Sequence, residues 1–290
     1  LLERILLIVL PLFAVVAVGF FYARRHRPDM RAATALNMDI FVPALVFSAL
    51  AAKDADLGAY GLLAVAGVAL VLGSGLIAWP IARSSGIAVR TFVPPMMFVN
   101  SGNMGIPLLV LAFGEQAMPA AVVLFLIENV LHFSLGTRML DRHADILGVL
   151  RTPVMLACIA GLAVNLSGIS LHELIARPVD MLGQVSIPLM LFTLGVRLVD
   201  VNLADWRVGL LGAIVRPLVG VLLAWAITLA LVLPPEQASI LIVFAALPPA
   251  VLNAIFAERY AQEPERVASI VLLGNAAALV TLPAVLLLVL

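Results

Sequence analysis

Five polar side chains, Glu128, Asn129, His132, Arg216 and Asn275, interrupt long hydrophobic runs. Glu128 and His132 are four residues apart, so in a helix they share one face. Imidazole titrates near neutrality, which makes the pair either a proton relay or a buried hydrogen-bonded couple. Arg216, followed by Pro217, suits a counter-charge for a substrate or a partner for Glu128. Ionisable groups inside membrane-length apolar runs are costly, and function is their default explanation. Asp39, near the end of a run, reads instead as a side chain reaching for the interface. Asn129 and Asn275 suit hydrogen bonds between helices or contact with a binding site. A second concentration of polar groups is "VNSGNMGIP" (99–107), which offers Asn100, Ser101 and Asn103 as donors. Gly102, Met104, Gly105 and Pro107 complete that motif. No HExxH and no activated Ser/His set accompanies these residues, nor any His, Asp and Cys grouping at metal-ligand spacing. The lone Cys158 allows no internal disulfide and reads as a small buried side chain. The pattern calls for binding without catalysis, and for no metal or cofactor.

The elements that must position these residues follow from composition. The chain has 290 residues, 63% hydrophobic and 12% charged, with a mean hydropathy of +1.16. A soluble domain of this length would carry about twice that share of charge. Seventeen Lys and Arg balance seventeen Asp and Glu, so no net charge points to nucleic acid. Runs of membrane length fall near 3–24, 32–52, 58–82, 91–114, 117–138, 152–168, 179–199, 206–233, 236–258 and 265–290. They predict an all-α membrane protein of ten transmembrane helices. The first run is too long for a signal-peptide core and lacks a small-residue cleavage site, so it reads as a span. The absence of Met at position 1 points to a trimmed start.

Alternate loops differ in charge. Arg24, Arg25, Arg27, Arg31, Arg83, Arg90, Arg138, Arg142, Arg151, Arg197, Arg207, Arg259 and Arg266 fall on one side, against Arg4, Lys53 and Arg177 on the other. That bias places the first set in the cytoplasm and both termini outside.

Ten spans divide into two inverted five-helix repeats, 1–138 and 152–290, joined by a cytoplasmic connection at 139–151. At an ungapped offset of 145, Pro43 meets Pro188, Phe47 meets Phe192, Gly67 meets Gly212, Gly75 meets Gly220 and Pro119 meets Pro264. The same offset lays Asn103 and Met104 on Pro248 and Pro249, in "FAALPPAVLNAIFAERY" (244–260). Spans four and nine are thus both interrupted. Prolines cannot donate to the carbonyl four residues back. Pro107 is expected to free the carbonyl of Asn103, and Pro248 and Pro249 those of Phe244 and Ala245. Orphan carbonyls are tolerable in a membrane where they line a hydrated cavity. Paired interrupted spans are the sequence mark of a transporter's binding site. The second half-helix of span four would present the amides of Gly102 through Gly105 to an anion, and Asn253 is the comparable donor of span nine.

"FVNSGNMGIPLLVLAFG" with "VVLFLIENVLHFSLG", "LNMDIFVPALVFSAL" and "LPPAVLNAIFAERYAQEPERVASIVLLGNAAALVTLP" resemble the auxin efflux carrier family, particularly its bacterial malonate-type members. The resemblance covers nearly the whole chain. It implies a fold related to the bile-acid sodium symporters. Spans 1, 2, 6 and 7 would form a scaffold, and the remaining six a mobile core in which spans four and nine cross. It further implies elevator-like transport of an organic anion bound at the crossing. The long central loop of the plant members is missing, and "LPPAVLN" replaces their asparagine-proline-asparagine break, which argues against auxin itself. The partners so implied are a small organic anion, mono- or dicarboxylate, and the lipid bilayer. A coupling proton or sodium ion, the latter as in the bile-acid branch, and a homodimer remain open. An integral membrane enzyme is the competing class.

Overall fold

A computed structural model describes residues 2–52, 57–143, 147–169, 171–199 and 205–290. Lys53 and positions 144–146 of the expected connection lie outside the described residues. Among the described residues the chain is all-helical, with one isolated β-bridge. Seven helical stretches are long and apolar enough to cross a membrane: Glu3–His26, Arg31–Ala51, Gly58–Ser84, Glu115–Leu140, Glu173–Arg197, Trp206–Leu231 and Pro264–Val289. Shorter apolar helices occupy Ser101–Phe113, Pro153–Ser167 and Pro235–Ala245. The expected runs lie on helix, except that 91–114 and 236–258 are each helical on both sides of an extended link, so the all-α reading holds. The expected start of the seventh run was six residues late, because the polar turn at "HELIAR" is already helical: His172 caps Leu174 with its ring nitrogen at 3.2 Å.

Helix ends follow local chemistry. The hydroxyl of Thr152 accepts from the Met155 amide at 3.4 Å, ahead of Pro153 at the first helical position. Gly168 closes that helix in the left-handed conformation.

The helices form two packing groups. Leu2–His26 lies along Glu173–Arg197, and Val42–Ala51 lies against both Pro153–Ser167 and Glu173–Arg197. Gly19 and Gly195 make the closest approach within this group: a Cβ on either would strike the backbone of Phe192 or Val16. The second group joins Gly61–Ser84, Val89–Met97, Met118–Leu131, Trp206–Leu231 and Pro264–Val289 around two broken segments. The groups meet where Leu2–His26 touches Ile106–Phe113, and where Glu173–Arg197 touches the turn Ser101–Gly105.

Both broken segments have one form: a helix, an extended link and a second helix. In the first, Val89–Met97 ends and Phe98 turns extended (φ −103°, ψ 115°). A π-turn at Ser101–Gly105 then leads into Ile106–Phe113. In the second, Pro235–Ala245 and Val251–Arg259 flank "ALPPA". Two consecutive prolines account for that link. Each bars the residue before it from helical geometry, so Leu247 and Pro248 must extend.

The first break is not where the prolines led us to expect it. Pro107 lies inside the helical stretch Ser101–Phe113, in the turn that follows its π-turn. The chain opens eight residues earlier, at "FVN". There the two links pair antiparallel: Val99 faces Pro249, the Asn100 amide donates to the Pro248 carbonyl at 2.8 Å, and the Ala250 amide donates to the Phe98 carbonyl at 3.0 Å. The breaks thus correspond at an offset of 150 rather than 145. The offset of 145 does relate the starts of Gly61–Ser84 and Trp206–Leu231. The second half reaches its link five residues late.

Candidate functional site

The extended pairing is held by asparagines. Asn275, on Pro264–Val289, donates to the Pro249 carbonyl at 3.1 Å and to Val271 at 2.8 Å, while its oxygen accepts from Asn100 Nδ2 at 3.2 Å. Asn253 donates to the carbonyls of Phe98 and Ala250, both at 3.0 Å. One residue from each side therefore ties the crossing to its neighbours, and both are buried. For Asn275, contact with the crossing is the geometry observed. Asn129 instead donates back to Phe125 in its own helix at 2.9 Å, leaving its body on a cavity wall.

That cavity, of about 370 Å³, opens beside the crossing. Of the expected site residues it is bordered by Asn100, Ser101, Gly102, Asn103, Glu128, Asn129 and His132. Met104, Gly105, Pro107, Pro248, Pro249, Asn253, Arg216 and Asn275 are buried and off its wall. They build the crossing instead of facing a ligand. The expectation of open amides from Gly102 to Gly105 also narrows. Met104 and Gly105 already donate to the Asn100 carbonyl, at 3.2 and 3.0 Å, because Asn100 begins the half-helix. The amides of Gly102 and Asn103 have no backbone acceptor among the described residues. They form the positive end of a thirteen-residue helix, Ser101–Phe113.

The carbonyls expected to be free behave likewise. Phe244 accepts from the Leu247 amide at 3.2 Å, in a tight last turn. Ala245 lies against Gly220, away from the cavity.

Two buried side chains on the cavity wall carry an atom without a partner: Oε2 of Glu128 and Nε2 of His132. The π-turn His132–Gly136 begins at this histidine, whose ring stacks on Phe98 at 4.2 Å and meets Phe256 edge-on at 5.2 Å. Phe98 belongs to the crossing, so the ring is fixed against it. The side chain of Ser101 and the amide of Val99 face the Glu128 carboxyl. Arg216 stands within Coulombic reach of it, from Trp206–Leu231. Of the two roles open to Arg216 in the sequence, the one beside Glu128 matches its placement.

The opposite wall comes from the other packing group: Thr34, Met38, Asp39, Thr152, Met190 and Arg197. Asp39 is thus at the cavity mouth, on the π-turn Asn37–Phe41. Arg197, half-buried, also borders an adjoining cleft with Glu258 and Glu265, and neither it nor Asp39 has an ion pair among the described residues. Sequence reading missed Thr34, Thr152 and Arg197. Each lies at a helix end far along the chain from the motif, and loop arginines look alike until folded. Among the described residues no group of three His, Cys, Asp or Glu side chains is placed to hold a metal ion.

The sequence pattern of a family described as membrane transport protein matches residues 143–286, a stretch that contains the second broken segment. No curated protein matches the chain significantly.

Proposed function

We propose that the chain, whose residues 143–286 match the membrane transport protein family, that of the auxin efflux carriers, carries a small organic anion through the cavity at the crossing. Family and apolar helices together make it a multi-pass membrane protein. The observation that carries the proposal is the cavity wall at Gly102 and Asn103. Two unspent amides at a helix start and the Asn103 side chain meet there on one space. Such a wall favours negative charge without supplying a fixed cation to hold it. A mono- or dicarboxylate of malonate size fits the volume with room for water.

In this reading the two broken segments and Pro153–Ser167 join the seven long helices to make ten crossings, arranged as two inverted repeats with both ends of the described chain outside. The group of Leu2–His26, Arg31–Ala51, Pro153–Ser167 and Glu173–Arg197 serves as scaffold. The group around the crossing slides against it as an elevator, in the inner membrane of a bacterium. The cavity draws its walls from both groups, so sliding would carry the bound anion past Thr152 and Arg197.

The test is uptake into proteoliposomes of labelled malonate and a panel of mono- and dicarboxylates, under imposed potential, sodium and proton gradients. Potential-driven uptake that Asn103→Ala lowers is expected. Equal uptake by Asn103→Ala, or no anion uptake at all, would falsify the assignment. Uptake that requires sodium would favour the symporter branch, and conversion of an anion by protein outside vesicles would make it an enzyme.

A further inference from the structure

Arg216 is the largest side chain that is almost wholly withdrawn from the surface, 2% exposed, and its Nε and Nη1 have no partner. Glu128, equally buried, keeps Oε2 free and is not in direct ion-pair contact with it. Two opposite charges left loosely matched in a dry interior need a shared reason.

The neighbours of Arg216 supply one. It lies between Gly212 and Gly220, one helical stripe with a spacing of four. A Cβ on Gly212 would meet the Met96 side chain at 3.3 Å, and one on Gly220 would meet the carbonyl of Ala245 and Arg216 itself. Met96 and Ala245 stand at the last turns of Val89–Met97 and Pro235–Ala245, the two half-helices that run into the crossing. Their carbonyl ends carry negative partial charge. The stripe therefore aims a guanidinium at the crossing from the side of those carbonyl ends. Glu128 borders the cavity on the side of the free amides, touching Val99 and Ser101. The carboxyl of Glu128 is sealed just behind that wall, and a negative charge left there would oppose an anion in the cavity.

We propose that Arg216 is a built-in counter-cation of the crossing, which cancels Glu128 and the two carbonyl ends from behind while the cavity in front takes the anion. It is a positioning residue, off the cavity wall, and it fills the electrostatic place of a bound cation. The part of this that concerns the anion rests on the transport reading above. The charged or titratable groups that face Glu128 are Arg216 from Trp206–Leu231, His132 on its own helix, and Asp39 and Arg197 across the cavity. Only Arg216 among these is a permanently charged cation buried on the far side of the crossing.

Two measurements test it. The first is thermal unfolding in detergent of the wild type, Arg216→Met, Glu128→Gln and the double variant. Arg216→Met is expected to lower Tm by several degrees, and adding Glu128→Gln to recover most of the loss. Additive losses overturn the proposal whether or not any anion is transported. The second is uptake of labelled malonate into proteoliposomes. Arg216→Met is expected to fall about tenfold, because it leaves Glu128 and the two carbonyl ends without their counter-charge. Arg216→Lys is expected to keep most of the uptake, and adding Glu128→Gln to Arg216→Met is expected to restore part of what was lost. A purely structural arginine would give a loss that Glu128→Gln does not repair, and that result overturns the proposal. Where Arg216→Met does not fold, the double variant decides: folding with uptake supports the pairing, and failure to fold overturns it. Wild-type protein that takes up no anion would sink the transport reading alone, since the unfolding cycle still decides the pairing.

Discussion

At the crossing, Phe98–Asn100 and Pro248–Ala250 each give one amide and one carbonyl to the other. Beyond that exchange they share little. The first link has polar, small neighbours, and Asn100 to Asn103 border the cavity. The second is bounded by "AALPPAV"; Ala250 and Val251 reach the same cavity, but Asn253 turns inward to hold the backbone of Phe98. One segment keeps two backbone amides and an asparagine side chain at the cavity, and the other turns its one asparagine inward. Nothing in the antiparallel pairing demands this division, since each link gives the other the same pair of hydrogen bonds. It follows from side chains: proline enforces extension without leaving a donor, whereas glycine and asparagine leave donors exposed.

Substitutions at related positions should separate the two segments. The largest difference is expected behind them. Gly220→Ala would press a methyl onto the backbone carbonyl of Ala245, which has no room to yield, and we expect a loss of about 3 kcal/mol. Its counterpart Gly75→Ala meets only the flexible Met97 sulfur, at 2.6 Å, and should cost less than about 1 kcal/mol. Chemical denaturation in mixed micelles reads both; equal losses would mean that the second segment is no more rigidly seated than the first.

Asn275→Ala strikes both links at once, because it strands Asn100 Nδ2 and the Pro249 carbonyl in a buried site. About 2 kcal/mol of stability should be lost. Any binding defect should follow that loss and be relieved by lower temperature.

Asn253→Ala against Asn103→Ala is the sharpest comparison. Removing two buried hydrogen bonds at Asn253 should cost about 1.5 kcal/mol with little change in malonate affinity. Asn103→Ala should leave stability within about 0.5 kcal/mol and weaken binding about tenfold. Calorimetric titration and unfolding on the same preparations check both, and a reversal would exchange the roles of the segments. The smallest effect is expected for Pro248→Ala, under about 1 kcal/mol. The Pro248 carbonyl that accepts from Asn100 is kept, and Pro249 still holds the preceding residue extended.

Much of the molecule was legible in the order of residues. Apolar runs gave the helices, because a membrane-length helix buries every backbone donor within itself and needs only apolar length. The existence of two interruptions was legible from glycine, proline and asparagine. Their register was not. The proline pair at 248–249 located its own link, while Pro107 drew attention eight residues past the first one. A link made of Phe98, Val99 and Asn100 has no breaking residue. It is extended because the partner link offers a carbonyl and accepts an amide there.

Sequence by itself therefore determined that this is a helical, membrane-suited chain with two interrupted segments and a few ionisable groups placed at a cost. Tertiary structure decided which polar groups are spent and which are left. The amides of Met104 and Gly105 are consumed and those of Gly102 and Asn103 are not, and Asn253 is inward while Asn103 faces the cavity. It also brought Thr152 and Arg197 to a wall opposite a motif fifty and ninety-four residues earlier than they are. The physical reason is that a hydrogen-bonding group is a binding group only where no other part of the chain satisfies it. That is a property of neighbours in space, which local sequence does not carry.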